Sequence, residues 1–117
     1  MWVTSRNEAL KSGETEQLRS LTDLSCASCL SLITSIEEVY AAGGSYDTDG
    51  WTVKSAKARD PDGPRRAVDA AVVFAGGTTI DEAGADPVTY EAENHIMVFK
   101  LHFVGAQPLI DFVGFVS

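Results

Sequence analysis

The stretch "LSCASCLSLITSIEEVY", residues 24–40, decides how this chain is read. Cys29, Leu32, Ile33, Ile36, Val39 and Tyr40 recur at steps of three and four, which places them on one face of a helix. Ser25 is the kind of residue that caps the unpaired amides at a helix start. Gly43-Gly44 ends the periodic run. Glu37 and Glu38 fall on the solvent side. A helix with one apolar face must bury it, and the chain beyond Gly44 offers strands to bury it against.

Upstream, Trp2, Val3, Ala9 and Leu10 sit at helical spacing, and Gly13 offers a stop. "ETEQLRSL" reads as a second short helix, with Thr15 as its cap and Leu18 and Leu21 as anchors. Downstream, "WTVKSAKA" is a strand entered through the turn signal Asp49-Gly50. "DPDGP", residues 60–64, is a loop. "RAVDAAVVF" is a strong strand, and Gly76-Gly77 bends or bulges its end. "DEAGADP", residues 81–87, is an acidic loop without the alternation of a calcium site. "TYEAENHIMVFKLHFV" and "PLIDFVGFV" close the chain as a hairpin. Helices first and strands afterwards indicate an α+β fold, with N-terminal helices on one face of an antiparallel sheet. The whole chain, 1–117, reads as a single domain.

Nine basic residues against seventeen acidic ones give a net charge of -8. That field repels a phosphate backbone, so no nucleic-acid partner is expected. "MWVTSRNEAL" has neither the basic start nor the apolar run of a signal peptide. The apolar run "HIMVFKLHFVGAQPLIDFVGFV" is broken by Lys100, His102, Gln107, Pro108 and Asp111 and alternates as strands do. It is read as a hairpin and not as a membrane span.

Cys26 and Cys29 are the only cysteines. A redox Cys-x-x-Cys usually stands where a strand meets a helix. This pair follows a short helix and a loop. Zinc takes about four ligands, and His95 and His102, an odd number of residues apart, point to opposite faces of one strand. No metal and no cofactor are expected. A local disulfide or two buried thiols remain open.

The segment "SCASCLSLITSIEEVYAAGG" followed by "GWTVKSAKA" resembles actinobacterial lipoproteins of unknown function that carry a nuclear-transport-factor-2-like (cystatin-like) domain. "ALKSGETEQLRSL" is similar to the opening of such domains. The resemblance implies a cone with a curved sheet around a pocket. It also implies export and an extracytoplasmic place in the cell envelope, although no lipid-anchor motif is read in this chain. Export favours the Cys26–Cys29 disulfide as a structural staple. The fold hosts enzymes, binding proteins and scaffolds alike, so it fixes no activity.

Tyr40, Trp51, Tyr90 and His95 are candidate pocket-lining residues, with a small apolar ligand as the candidate partner. Asp69 is a lone acid in an apolar strand. No catalytic residue is assigned. The expected role is binding or assembly without catalysis; the alternative is a small isomerase or hydrolase with a polar dyad inside the cone. One strand face carries Ile96, Val98 and Val104, the other Met97, Phe99, Leu101 and Phe103. One face packs on the helices, and the second is expected to form a homodimer. The last hairpin carries the test for catalysis. A turn at Gly105-Ala106 sets Val104 opposite Gln107, Lys100 opposite Asp111 and Val98 opposite Val113. A turn at Ala106-Gln107 would set His102 opposite Asp111 and make a dyad. Glycine fits the first turn, so Lys100–Asp111 is the expected pair.

Overall fold

The computed structural model describes residues 2–59 and 65–116, with Arg65 described by its backbone alone. The loop expected over residues 60–64 lies outside the described residues. Among the described residues three helices come first: α1 (Trp2–Ser12), α2 (Glu16–Ser20) and α3 (Ala27–Ala41). Seven strands follow: β1 (Ser45–Thr48), β2 (Trp51–Ala58), β3 (Arg65–Phe74), β4 (Gly77–Ile80), β5 (Val88–Tyr90), β6 (Glu93–Val104) and β7 (Gln107–Phe115). β2, β3, β6 and β7 form an antiparallel sheet in the order β2-β3-β6-β7; β1, β4 and β5 form a smaller one in the order β1-β4-β5. The apolar run near the C-terminus is the β6–β7 hairpin, and among the described residues no helix is long and apolar enough to cross a membrane.

The smaller sheet is a finding beyond the sequence reading. The run from Thr89 divides at Glu91-Ala92, so Val88–Tyr90 joins β4 while Glu93–Val104 joins β3. Gly76-Gly77 marks the transfer from the larger sheet to the smaller. A Cβ on Gly77 would stand 2.3 Å from the carbonyl oxygen of Asp47, so only glycine lets β1 and β4 approach there.

The core lies between the helices and one face of the larger sheet. Leu10, Leu18, Cys29, Ile33 and Ile36 meet Trp51, Ala70, Val72, Met97, Phe99 and Val113. Full burial of a side chain such as Ile33 or Met97 contributes about 1.5–3 kcal/mol. Trp2 packs against Trp51 and Phe99, each with ring centroids 6.3 Å apart, and its Nε1 donates to Thr22 Oγ1.

Two local details differ from the sequence reading. Ser25 does not cap α3, because its Oγ and its amide both bond Asp23 Oδ1. Cys26 is the cap, and its Sγ accepts the Cys29 amide. Glu37 does not simply face solvent. Its carboxylate accepts from Arg19 and from Thr15 Oγ1, tying α3 to α2. The chain after α2 then runs along the edge of β7. Ile110 N donates to Leu21 O, and Asp23 N donates to Ile110 O. That pairing covers a strand edge that would otherwise present unpaired amides.

Candidate functional site

The larger sheet has one face toward the helices and one away from them. Alternation puts Val68, Ala70, Phe99, Leu101 and Phe103 on the helix side. The strands run past the helices at the β6–β7 turn, and a pocket of about 880 Å³ opens there. Trp2, Val3, Thr4 and Asn7 of α1 close it on one side; Trp51, Val53, Ala56, Phe99, Leu101, Pro108 and Ile110 line it from the sheet. Among the described residues no titratable side chain lines it. Asn7 is a wall group whose hydrogen bonds are already taken: its Nδ2 donates to Trp51 O and its Oδ1 accepts from Trp51 N. Behind it, the Arg6 guanidinium sits 4.0 Å from the Trp51 ring centroid. Burial lowers its pKa to about 10, opposed by Tyr46 and Tyr90.

The candidate residues are dispersed. Trp51 lines the pocket, stacked on Phe74 with centroids 4.5 Å apart. Tyr40 lines a separate, more polar cleft between α1, α2 and α3, and its hydroxyl donates to Leu10 O. Tyr90 is on β5, 37% exposed, and is not among the residues of the large pocket. His95 is not among them either; it packs between Phe74 and Phe115, with Nε2 2.6 Å from Glu93 Oε1. Asp69 is bound through both oxygens by Arg59, whose hydrogen bonds hold its pKa below the usual carboxylate value.

Cys26 and Cys29 form a disulfide with Cα atoms 5.3 Å apart. Both are buried at the start of α3. A disulfide sealed from solvent is poorly placed for exchange with an outside thiol.

The hairpin corrects one expectation and keeps another. Val104 does pair with Gln107, and Gly105 takes φ +64°. Lys100, however, pairs with Phe112, and Val98 with Gly114, because Asp111 is an extra residue between Leu101–Ile110 and Lys100–Phe112. The bulge turns Asp111 onto His102: Nδ1 is 2.6 Å from Asp111 Oδ2, and Nε2 is 3.0 Å from Asp23 Oδ2. Sequence reasoning missed Asp23, although the Asp-x-Ser spacing to Ser25 is the signature of an Asx turn. His102 alternates with Leu101 and Phe103, so this cluster lies on the sheet face away from the pocket.

No family profile and no curated protein matches the chain. Solved structures do. The crystal structure of the intermembrane space region of chloroplast protein ARC6 superposes with a TM-score of 0.74 at 15% identity, over 99% of this chain and 88% of that one. A designed Rd1NTF2 variant superposes with a TM-score of 0.53 at 12% identity, over 97% and 91%. At such identities the likeness is one of fold: α+β, nuclear-transport-factor-2-like, with N-terminal helices on a curved antiparallel sheet.

Proposed function

We propose that this chain is a non-catalytic, extracytoplasmic binding domain whose pocket takes a small apolar ligand. The observation that carries this is the wall itself: large, apolar and, among the described residues, without a titratable side chain. General acid–base chemistry needs such a group within hydrogen-bond reach of the substrate. The one dyad that sequence reasoning raised, His102–Asp111, faces the other way. A volume of about 880 Å³ lies within the range of small-molecule sites. The extracytoplasmic part of the reading rests on the Cys26–Cys29 disulfide, a bond that persists in oxidising compartments. The resemblance to envelope lipoproteins points the same way.

The assembly part of the reading is a homodimer through the outer sheet face. Ile96, Phe112 and Val104 are 40%, 39% and 59% exposed there, which a monomer would leave as an apolar patch.

Trp2 and Trp51 report on the pocket directly. Titration with phenylnaphthylamine, a neutral apolar fluorophore, should quench tryptophan emission to saturation. An Ala56→Phe variant, which fills the pocket from its exposed side, should abolish the quenching. Binding unchanged by Ala56→Phe would remove the pocket from the account.

A further inference from the structure

The pocket is not uniform along its length. Its deep end is made by Trp2, Trp51, Ala70 and Phe99, and its outer end by Leu101, Phe103 and Gln107 near the β6–β7 turn. Arg66 is not itself a lining residue, but it stands against Phe103 beside that outer end. It pairs with Leu101 across the ladder and alternates with Val68 and Ala70, so it shares the pocket's side of the sheet. Its guanidinium lies 5.1 Å from the Phe103 ring centroid. Its Nε is buried without a hydrogen-bond partner, and no carboxylate among the described residues pairs with it. The neighbouring cation, Arg59, is already committed to Asp69.

A buried donor left without a partner costs stability that an acceptor would restore. A guanidinium presents a planar fork matched to a carboxylate. The surrounding sequence is basic. Lys54, Lys57, Arg59, Arg65 and Arg66 are five of the nine basic residues and fall within thirteen positions, against Asp60 and Asp62 in the same span. Lys54, Lys57 and Arg59 belong to the opposite face of the sheet, where Arg59 holds Asp69, and the whole chain carries a net charge of -8, so an acidic ligand would have to be favoured by Arg66 itself and not by the overall field.

We propose that the pocket takes a single-chain amphiphile with a carboxylate head. The hydrocarbon lies along Trp51, Phe99 and Leu101, and the head is received by Arg66, with the Gln107 amide at the same end. This deepens the binding reading above and rests on it. The aromatic deep end excludes water from the chain, while the outer end keeps the head hydrated on one side. Arg66 then adds a charge-assisted bond that a neutral head cannot make.

The test compares palmitate with hexadecanol, each below its aggregation limit, by displacement of bound phenylnaphthylamine. Palmitate should bind about tenfold or more tightly than hexadecanol, as a hydrogen bond to a charged partner implies. Arg66→Gln should remove that difference while leaving hexadecanol affinity unchanged, and Arg66→Lys should keep most of it. Equal affinities on the unaltered protein would overturn the proposal and leave the apolar pocket standing. So would an Arg66→Gln variant that weakens both ligands alike, which would mark Arg66 as structural. Failure of both ligands to bind would overturn the pocket reading as well. The comparison on the unaltered protein needs no variant, so it decides even if Arg66→Gln does not fold.

Discussion

His102 Nδ1 lies 2.6 Å from Asp111 Oδ2, although the ladder sets His102 opposite Leu109. The β-bulge at Asp111 brings the two together, and Asp23 completes a bridge from the α2–α3 connection to the last hairpin. The three side chains are only 14–23% exposed, so the contacts are poorly screened. His102→Ala leaves two carboxylates facing each other. It should cost about 1.5–3 kcal/mol in chemical denaturation, the range for hydrogen bonds to charged groups. Affinity for pocket ligands should be unchanged. A loss of ligand affinity with unaltered stability would place His102 at the binding site instead.

The disulfide should contribute modestly. Its ends are only 3 positions apart in sequence, and the chain-entropy relation gives roughly 2 kcal/mol for closing so small a loop. Intact mass without reductant should be two hydrogens below the reduced chain. The Cys26→Ser, Cys29→Ser double variant should lower the unfolding free energy by about that amount in chemical denaturation. Rapid thiol labelling of the folded, unreduced protein would show that the bond is absent.

Glu37 gives a pH dependence with a fixed sign. Hydrogen bonds from Arg19 first and from Thr15 next lower its pKa to about 2. An acid with a depressed folded-state pKa contributes stability that is complete above its unfolded value of about 4.3 and lost as pH falls through about 2. The site is partly exposed, so solvent screening holds the contribution to roughly 0.5–1 kcal/mol. Glu37→Gln should therefore be less stable than the parent at pH 7 and converge with it near pH 2. A difference that stays constant over that interval would count against the ion pair as its source.

Much of the architecture was legible in the sequence where a pattern was long. The α3 periodicity, the Asp49-Gly50 entry into β2 and the turn at Gly105 all stand in the structure. The smaller sheet was not legible. "SYDT", "GTTI" and "VTY" are three to four residues each, too short to alternate visibly, and only their mutual pairing makes them strands. The hairpin failed for another reason. Counting outward from a turn assumes one residue per partner, and a single extra residue at Asp111 exchanges Lys100 for His102 as its neighbour. The pocket was legible only through Trp51. Its other walls come from α1, β3, β6 and β7, brought together by topology and not by any local motif.

The homodimer predicts the mass of two chains in light scattering at micromolar concentration. Ile96→Glu, which puts a charge on the exposed apolar face, should yield a monomer with native circular dichroism. A parent protein that is already monomeric at that concentration would refute dimerisation through this face.

On this reading the ligand binds on the helix side of the sheet and not at the His102 cluster. Amide chemical-shift mapping during titration with hexadecanol tests it most directly. Binding in the pocket should give saturable shifts at Val68, Ala70, Leu101 and Ile110, with Asp23 and Asp111 unmoved at the same ligand concentration. Shifts concentrated at Asp23, His102 and Asp111, with the pocket amides still, would contradict it.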